Sequence, residues 1–557
     1  MRRIVTVSAF LLCAVGLSWA QQPAGLWLDA SQFGKSDICT NIQAAIAALP
    51  TTPAPGGAVI DARNFAPQPS NSFVHCSVNP FTVQANPLIL ANGGTTTGPL
   101  NCTSVPTPPG CLGGVLLLPG FTISTDVPWL VPGNWSIVGQ GGKVTILAPS
   151  TTFSSNLAAY TNGTVSGTSG TRALTGAGGA SWNANMVGMV FTACGTSGVC
   201  NAAASSYLSA TVVGIVTNWI SATQLDLGSN LQATLTSPSY YTLQAPVLEW
   251  ATTSVCTTCT GALQSNTSGS VIQDIGLSCV VNAGGGSPIS GCIPFWDQYG
   301  QERSQLKRVS FSGFLGLGLG IYTSSAQNGG PFEDLDMLSG PTGIVAGTTC
   351  VEVGGTGVGG QPPMRGIRGL TCTNAQKTSG TDGIGVDINT QNFSLSDAHF
   401  EDYSLGVEIG DLSSARGILI SDITGGNSLG TVVDINANCA LSTGTNCQSI
   451  ATADINVQSV YQSTSTTTFK DNISIHTATE AVLGLYSLAG CGKTRSERPR
   501  RRRDLHRTPL RHSFTEQASP KGLSFGDSRL NSSPNFDGRS VNGDSKTKRL
   551  HVGLECI

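Results

Sequence analysis

Charge and long apolar runs are what this sequence has least of. Charged residues are 11% of its 557 positions, too few to solvate the outer faces of a helical bundle. Beyond the first 20 residues no stretch is long and apolar enough to be a membrane-span candidate; even Phe314 to Tyr322, FLGLGLGIY, is short and interrupted by glycine. The six histidines form no cluster, and His75 and His476 stand alone in the chain. Cys256 and Cys259 make a CxxC, but no second CxxC or neighbouring His completes a zinc set, so the pair reads as a structural disulfide. The strings GVGGQ and NAGGGS lack a strand-to-helix context and a Lys-Ser/Thr ending, which makes them loops and not phosphate cradles.

What is present is glycine, at 69 positions, with abundant Ser, Thr and Asn, the composition of an extended all-β protein with many turns. Residues 1–20 carry Arg2 and Arg3, an apolar run from Ile4 to Leu17 and a small-residue site at Ser18-Trp19-Ala20. That is the pattern of a secretory signal, with a mature chain starting at Gln21. Of the 17 cysteines, those left after Cys13 fit an oxidising, extracellular or periplasmic compartment. They fall into close neighbours: Cys39 with Cys76, Cys102 with Cys111, Cys194 with Cys200, Cys256 with Cys259, Cys279 with Cys292, Cys350 with Cys372, and Cys439 with Cys447. Sequence alone leaves that connectivity open.

The net charge of -3 hides an asymmetry. From Cys491 to Ile557 there are 15 Lys+Arg against 7 Asp+Glu; removing them from totals of 29 and 32 leaves 14 against 25 before that point. The basic segment 491–557 shows neither strand nor helix periodicity and is expected to be disordered. Arg500 to Arg503 would suit an anionic partner. The abrupt change of composition after Leu488 reads better as a shifted reading frame or other non-native extension, and no nucleic-acid partner is expected.

Between the ends, residues 21–159 begin with strand, loop, amphipathic helix and strand, with Ile42, Ala45, Ile46 and Leu49 at helical spacing. Short strands punctuated by Pro and Gly follow. The residues Asp29, Phe33, Gly34, Ile42 to Ile46, Gly56, Gly57, Leu116 to Pro119, Gly139 and Gly141 resemble the N-terminal cap and first coils of the pectate-lyase-3 or epimerase-like group, which includes many phage tailspikes. The resemblance implies an all-β, right-handed parallel β-helix with an N-terminal capping helix. One departure is that members carry Gly-Asp-Gly and then Asp-Asp before the helix, where this chain has Gly34-Lys35-Ser36-Asp37-Ile38-Cys39. Residues 160–247 look inserted. Trp182, Met186 to Gly188, Ser221 to Leu225 and Tyr240 to Leu243 resemble a small β-barrel-like module of tail-fibre proteins, with its aromatics read as core.

Residues 248–490 hold an internal repeat: VIQDIGL, QLKRVSF, PFEDLDM, MRGIRGL, SLSDAHF, LISDITG and ATADINV. Their fourth-position equivalents, with MRGIRGL aligned one residue along, are Asp274, Arg308, Asp334, Gly366, Asp397, Asp422 and Asp454, a spacing suited to coils of a solenoid. The next position supplies the core: Ile275, Val309, Leu335, Ile367, Ala398, Ile423 and Ile455. Five of seven fourth positions are Asp, so these read as turn residues whose carboxylates accept backbone N–H groups, not as active sites.

Two outward columns then follow. One runs Gln273, Lys307, Glu333, Arg365, Ser396; the other runs Gly276, Ser310, Asp336, Arg368, His399. The register predicts that Asp336, Arg368 and His399 converge as a catalytic wall with Glu333, with Lys307, Arg365 and Glu401 holding substrate. Hydrolysis would use Glu333 with Asp336, or Asp336 with Glu401. β-Elimination would use Arg368 or His399 as base, with Arg365, Lys307 or Ca²⁺ neutralising a uronate. Alternating charges are also what a structural ladder would choose. The polygalacturonase-like motif set and a pectate-lyase calcium motif are absent; no cofactor or metal is required. The expected partner is extracellular polysaccharide, acted on or simply bound. A tailspike-like or adhesin role is the alternative, with monomer and trimer both open.

Overall fold

The computed structural model describes residues 26–49, 58–67, 72–81, 113–131, 135–157, 160–195, 212–228, 230–250, 269–284, 286–298, 300, 303–322, 329–340, 348–354, 365–375, 383–410, 415–426, 431–436, 453–462, 473–476, 483–485 and 495–497. The expected signal, and all of the basic segment except Arg495–Glu497, lie outside them. Those three residues are not irregular, as expected of that segment, but a strand pairing parallel with Ile473–His476.

At the N-terminal end Asp29 accepts the Ser31 amide and starts a short 3₁₀ turn, which Gly34 ends at φ 63°. Asp37 then caps the Ile38–Ala47 helix, its Oδ1 accepting the Cys39 and Thr40 amides at 2.9 and 3.0 Å. Ile38, Ile42, Ala45 and Ile46 bury one face of that helix over the first coil, and Cys39–Cys76 fastens it there.

From there the chain is wound into two long parallel sheets. In each coil it crosses a first and a second face, which belong to one bent sheet, and then a third face in the other sheet. The bend is made by one residue per coil with positive φ: Asp274, Arg308, Asp334, Gly369, Asp397, Asp422 and Ser459. Asp and Gly dominate because they tolerate this left-handed conformation best. The expected carboxylate-to-amide role gives way to this one: Asp334, Asp397 and Asp422 are exposed, and Asp274 instead receives the Arg308 guanidinium at 2.6 and 2.7 Å. Behind the bend, Ile275, Val309, Leu335, Leu370, Ala398, Ile423 and Val460 stack into the core.

Two repeats therefore sit differently from the expected alignment. In MRGIRGL the bend residue is Gly369, not Gly366, because only that register turns Leu370 inward beside Leu335 and Ala398. In the last repeat it is Ser459, not Asp454, since Ser421 pairs with Gln458 and Ile423 with Val460. Ile367 and Ile455 still face the core, from the first face.

The fold class is an all-β, right-handed parallel β-helix. Between the second and third faces of one coil stands an antiparallel unit. Thr164–Gly167, Ala173–Ala177, Gln224–Leu227, Val212–Ser221, Val190–Gly195 and the first part of Leu235–Trp250 pair in a closed ring. Tyr241 stacks on Phe191 at 5.6 Å inside it and its hydroxyl accepts the Trp182 indole N–H at 2.8 Å. Leu235–Trp250 then continues into the third face, pairing parallel with Trp129–Val131 and Cys292–Asp297. Tyr160 and Leu243 clamp the barrel's entry to its exit with two backbone hydrogen bonds of 3.0 and 2.9 Å. In a later coil the same corner is only Leu315 and Gly316, between strands Gln305–Phe314 and Leu317–Tyr322.

Three of the expected disulfides are formed: Cys39–Cys76, Cys279–Cys292 and Cys350–Cys372. Cys102, Cys111, Cys200, Cys256, Cys259, Cys439 and Cys447, and the side chain of Cys194, lie outside the described residues.

Candidate functional site

The register decides which expected site residues meet. On the first face Lys307, Glu333, Arg368 and Ser396 are successive partners. Arg368 thus belongs with Lys307 and Glu333, where it completes an alternating charge ladder; the Lys307 Nζ to Glu333 Oε2 distance is 3.6 Å. On the second face the column is Ser310, Asp336, Thr371, His399, Thr424. Asp336 and His399 share that column but are separated by Thr371, about 10 Å apart at strand spacing. Arg365 lies before its strand, exposed, its amide bonded to the Gly329 carbonyl at 2.8 Å. The expected convergence of Asp336, Arg368 and His399 is therefore broken, because the three-residue shift at Gly369 moves Arg368 to another face.

Within the second face His399 is held from both sides. Its Nε2 lies 3.1 Å from Glu401 Oε1 and its Nδ1 2.8 Å from Thr424 Oγ1. Asp336 is exposed two coils away, and the face carries no cation between them.

A second constellation, not anticipated from the sequence, lies on the outer side of the third face. Glu352, Asp387, Glu408 and Asp434 are register partners on four successive coils. They alternate with inward Val351, Val353, Val386, Ile388, Val407, Ile409, Val433 and Ile435. All four are buried, at 4, 3, 6 and 9% exposure. Asn389, also buried, donates its amide to Asp387 Oδ1 at 2.6 Å. The signal in the sequence was a second repeat: Val-Glu-Val, Val-Asp-Ile, Val-Glu-Ile and Val-Asp-Ile.

The same outward row begins differently. Before Glu352 it reads Leu130, Glu249, Trp296, Gly320. Trp296 lies over Gly320, where a Cβ would stand 2.3 Å from the indole. Ile293, Trp296, Leu317 and Tyr322 there pack with Val190, Val213 and Ile215 of the barrel. Glu249 is fully buried and has no hydrogen-bond partner among the described residues, and burial pushes its carboxyl well above the usual range. Among the described residues no group of three or more His, Cys, Asp or Glu is placed to hold a metal ion, and no helix is long and apolar enough to cross a membrane.

Strand pairing and bend spine together define the class, a parallel β-helix interrupted by a closed antiparallel barrel. The sequence matches no family model and no curated protein. Among solved structures it is similar to a mutant tailspike protein of E. coli bacteriophage HK620 in complex with a pentasaccharide, at TM-score 0.32 and 8% identity, covering 82% of this chain and 57% of that one. It is also similar to the tailspike gp61 of Pseudomonas phage phi297, at TM-score 0.22 and 10% identity, covering 69% of this chain and 66% of that one. A third is the Gp54 tailspike of Acinetobacter baumannii bacteriophage AP22 in complex with A. baumannii capsular saccharide, at TM-score 0.17 and 12% identity, with coverages of 69% and 66%. The chain thus spans less than two thirds of these proteins' lengths, and the assignment of fold rests on its own strand pairing.

Proposed function

We propose that this chain is an extracellular polysaccharide hydrolase whose reacting groups are the carboxylates of the third face. The observation that carries this reading is the column Glu352, Asp387, Glu408, Asp434. Glycoside hydrolysis needs two carboxyl groups flanking the bond, one protonated and one ionised. Register partners on adjacent coils stand about 5 Å apart at strand spacing, which is compatible with the roughly 5–5.5 Å carboxyl separation of retaining enzymes. Asp387, oriented by the Asn389 amide, would be the nucleophile. Glu408 would protonate the leaving oxygen. Elimination from a uronate is the weaker route, because Lys307, Arg308 and Arg368 lie on the first face and its bend; Ca²⁺ would be needed only there. The three disulfides suit an oxidising compartment, and the cap's resemblance to the pectate-lyase-3 group points to glycan chemistry. The depth at which the four carboxylates are buried weighs against their reaching a polymer and favours a second reading, a protein that binds glycan elsewhere on its surface without cleaving it.

The test is release of reducing ends from a panel of neutral and acidic polysaccharides, with absorbance of unsaturated uronate followed in parallel. Asp387→Asn and Glu408→Gln are each expected to lower release by more than 100-fold. Retention of a polymer without any release would leave the binding reading. Activity untouched in both variants, or lost in Glu401→Gln instead, would move the site to the second face.

A further inference from the structure

Among the described tryptophans, Trp27 stands apart. Trp129, Trp135, Trp250, Trp296 and Trp182 are at most 2% exposed and Trp219 is half-buried, whereas Trp27 is 55% exposed on the first strand of the solenoid. Its register partners on the next two coils, Val59 and Val115, are only partly covered and continue an apolar strip along the axis. Burying a large aromatic is worth more than leaving it in water, so an exposed one next to an ordered polar rim invites a ligand.

The rim is ordered. The Arg63 guanidinium lies over one face of the Trp27 ring, 5.8 Å from its centroid. It is fixed there by a two-point contact with Asp61, from Nε at 2.9 Å and Nη2 at 2.8 Å. Asp29, on the same strand as Trp27, receives the Asn64 amide at 2.8 Å and the Ser31 hydroxyl at 2.7 Å. Gln32 reaches both Asp29 and Ser31. Each of these side chains is held by another, so little rotamer freedom remains to be lost on binding. The amide oxygens of Asn64 and Gln32 and the unused N–H groups of Arg63 supply acceptors and donors beside the ring.

We propose that Trp27 is the stacking platform of a carbohydrate-binding site on the first face, separate from the third-face carboxylates. The apolar C–H face of a pyranose would lie on the indole face opposite Arg63, with its equatorial hydroxyls toward Asn64 and Gln32. A flat apolar surface edged by a few fixed polar groups is what sugar recognition requires. Trp27 and Glu352 are six coils apart along the axis, about 29 Å, so one long polymer can engage both. The site raises local polymer concentration whether or not the chain is a hydrolase.

The experiment uses the full chain, with hydroxyethylcellulose, dextran and polygalacturonate as probes in affinity gel electrophoresis and in iodide quenching of tryptophan emission. At least one polymer is expected to retard the protein and to shield the part of the quenchable emission that Trp27→Phe removes. Trp27→Ala should weaken retention about ten-fold or more, Trp27→Phe should keep most of it, and neither should shift the melting temperature by more than a degree or two. Equal retention of wild type and Trp27→Ala, or unshielded iodide quenching with all three polymers, would overturn the proposal.

Discussion

Asp297 offers a test of how burial shapes stability in this solenoid. It ends the Cys292–Asp297 strand at 1% exposure, and its Oδ1 accepts the Gly300 amide at 2.7 Å. Burial raises its pKa from 3.8 to about 7, with the Gly300 bond opposing only in part. In the unfolded chain an aspartate titrates near 3.9. Between those values the unfolded state has released a proton that the folded state still holds, so stability falls as pH rises. The contribution is intact below about pH 4 and lost progressively up to about pH 7, beyond which it is flat. Three units at about 1.4 kcal/mol each give a loss on the order of 4 kcal/mol. Asp297→Asn keeps the oxygen acceptor and removes the titration. Urea unfolding with disulfides intact, at pH 4.5, 6, 7 and 8, should show the variant gaining on wild type as pH rises, by up to about 4 kcal/mol. Glu249 contributes a slope of the same sign, but it is common to both proteins and cancels in the difference. A wild-type-minus-variant difference that stays constant across the four pH values would refute the reasoning.

Three further outcomes follow from the bend spine and the staples. Gly369→Val should cost about 1–3 kcal/mol, because φ is 72° and a Cβ would lie 2.8 Å from Asp334 Oδ1; Gly369→Asn should cost clearly less, and thermal unfolding measures the gap. Arg308→Ala removes an ion pair whose arginine side chain is 53% exposed, so the loss should stay within about 1 kcal/mol and shrink in 1 M salt. Replacing Cys39 and Cys76 by serine should cost about 2–5 kcal/mol, read as a lower melting temperature and earlier proteolysis within the cap.

Much of the architecture was legible because its causes are local. Repeated apolar positions, an Asp-rich bend and a capped helix leave marks at fixed spacing, and the coil order follows from them. The failure at MRGIRGL is equally local. Arg365-Gly366 and Arg368-Gly369 repeat the same dipeptide three residues apart, so the segment fits the pattern in two registers, and only packing of Leu370 against Leu335 and Ala398 selects one. One slip of that size set Arg368 in the second-face column with Asp336 and His399, whereas the register puts it on the first face beside Glu333. The third-face carboxylates were missed for another reason. Their Val-acid-Val/Ile triplets repeat plainly, but a single acid between two aliphatics looks like an ordinary solvent-facing strand position until burial is known. His75, read as isolated, in fact lies 3.0 Å from Asp126 on the neighbouring coil, a contact no linear spacing reveals.

The barrel has a consequence for how the molecule assembles. To the solenoid, everything between Tyr160 and Leu243 replaces a corner that the later coil makes with Leu315 and Gly316. Were that segment a random chain, closing a corner roughly forty times longer would cost about 3 kcal/mol more, and winding would stall there. Once the barrel has folded, its entry and exit strands are already side by side, and the corner is as short as any other. Propagation from the N-terminal cap toward the carboxylate coils should therefore wait on the barrel, which acts as a checkpoint in time as well as an ornament in space.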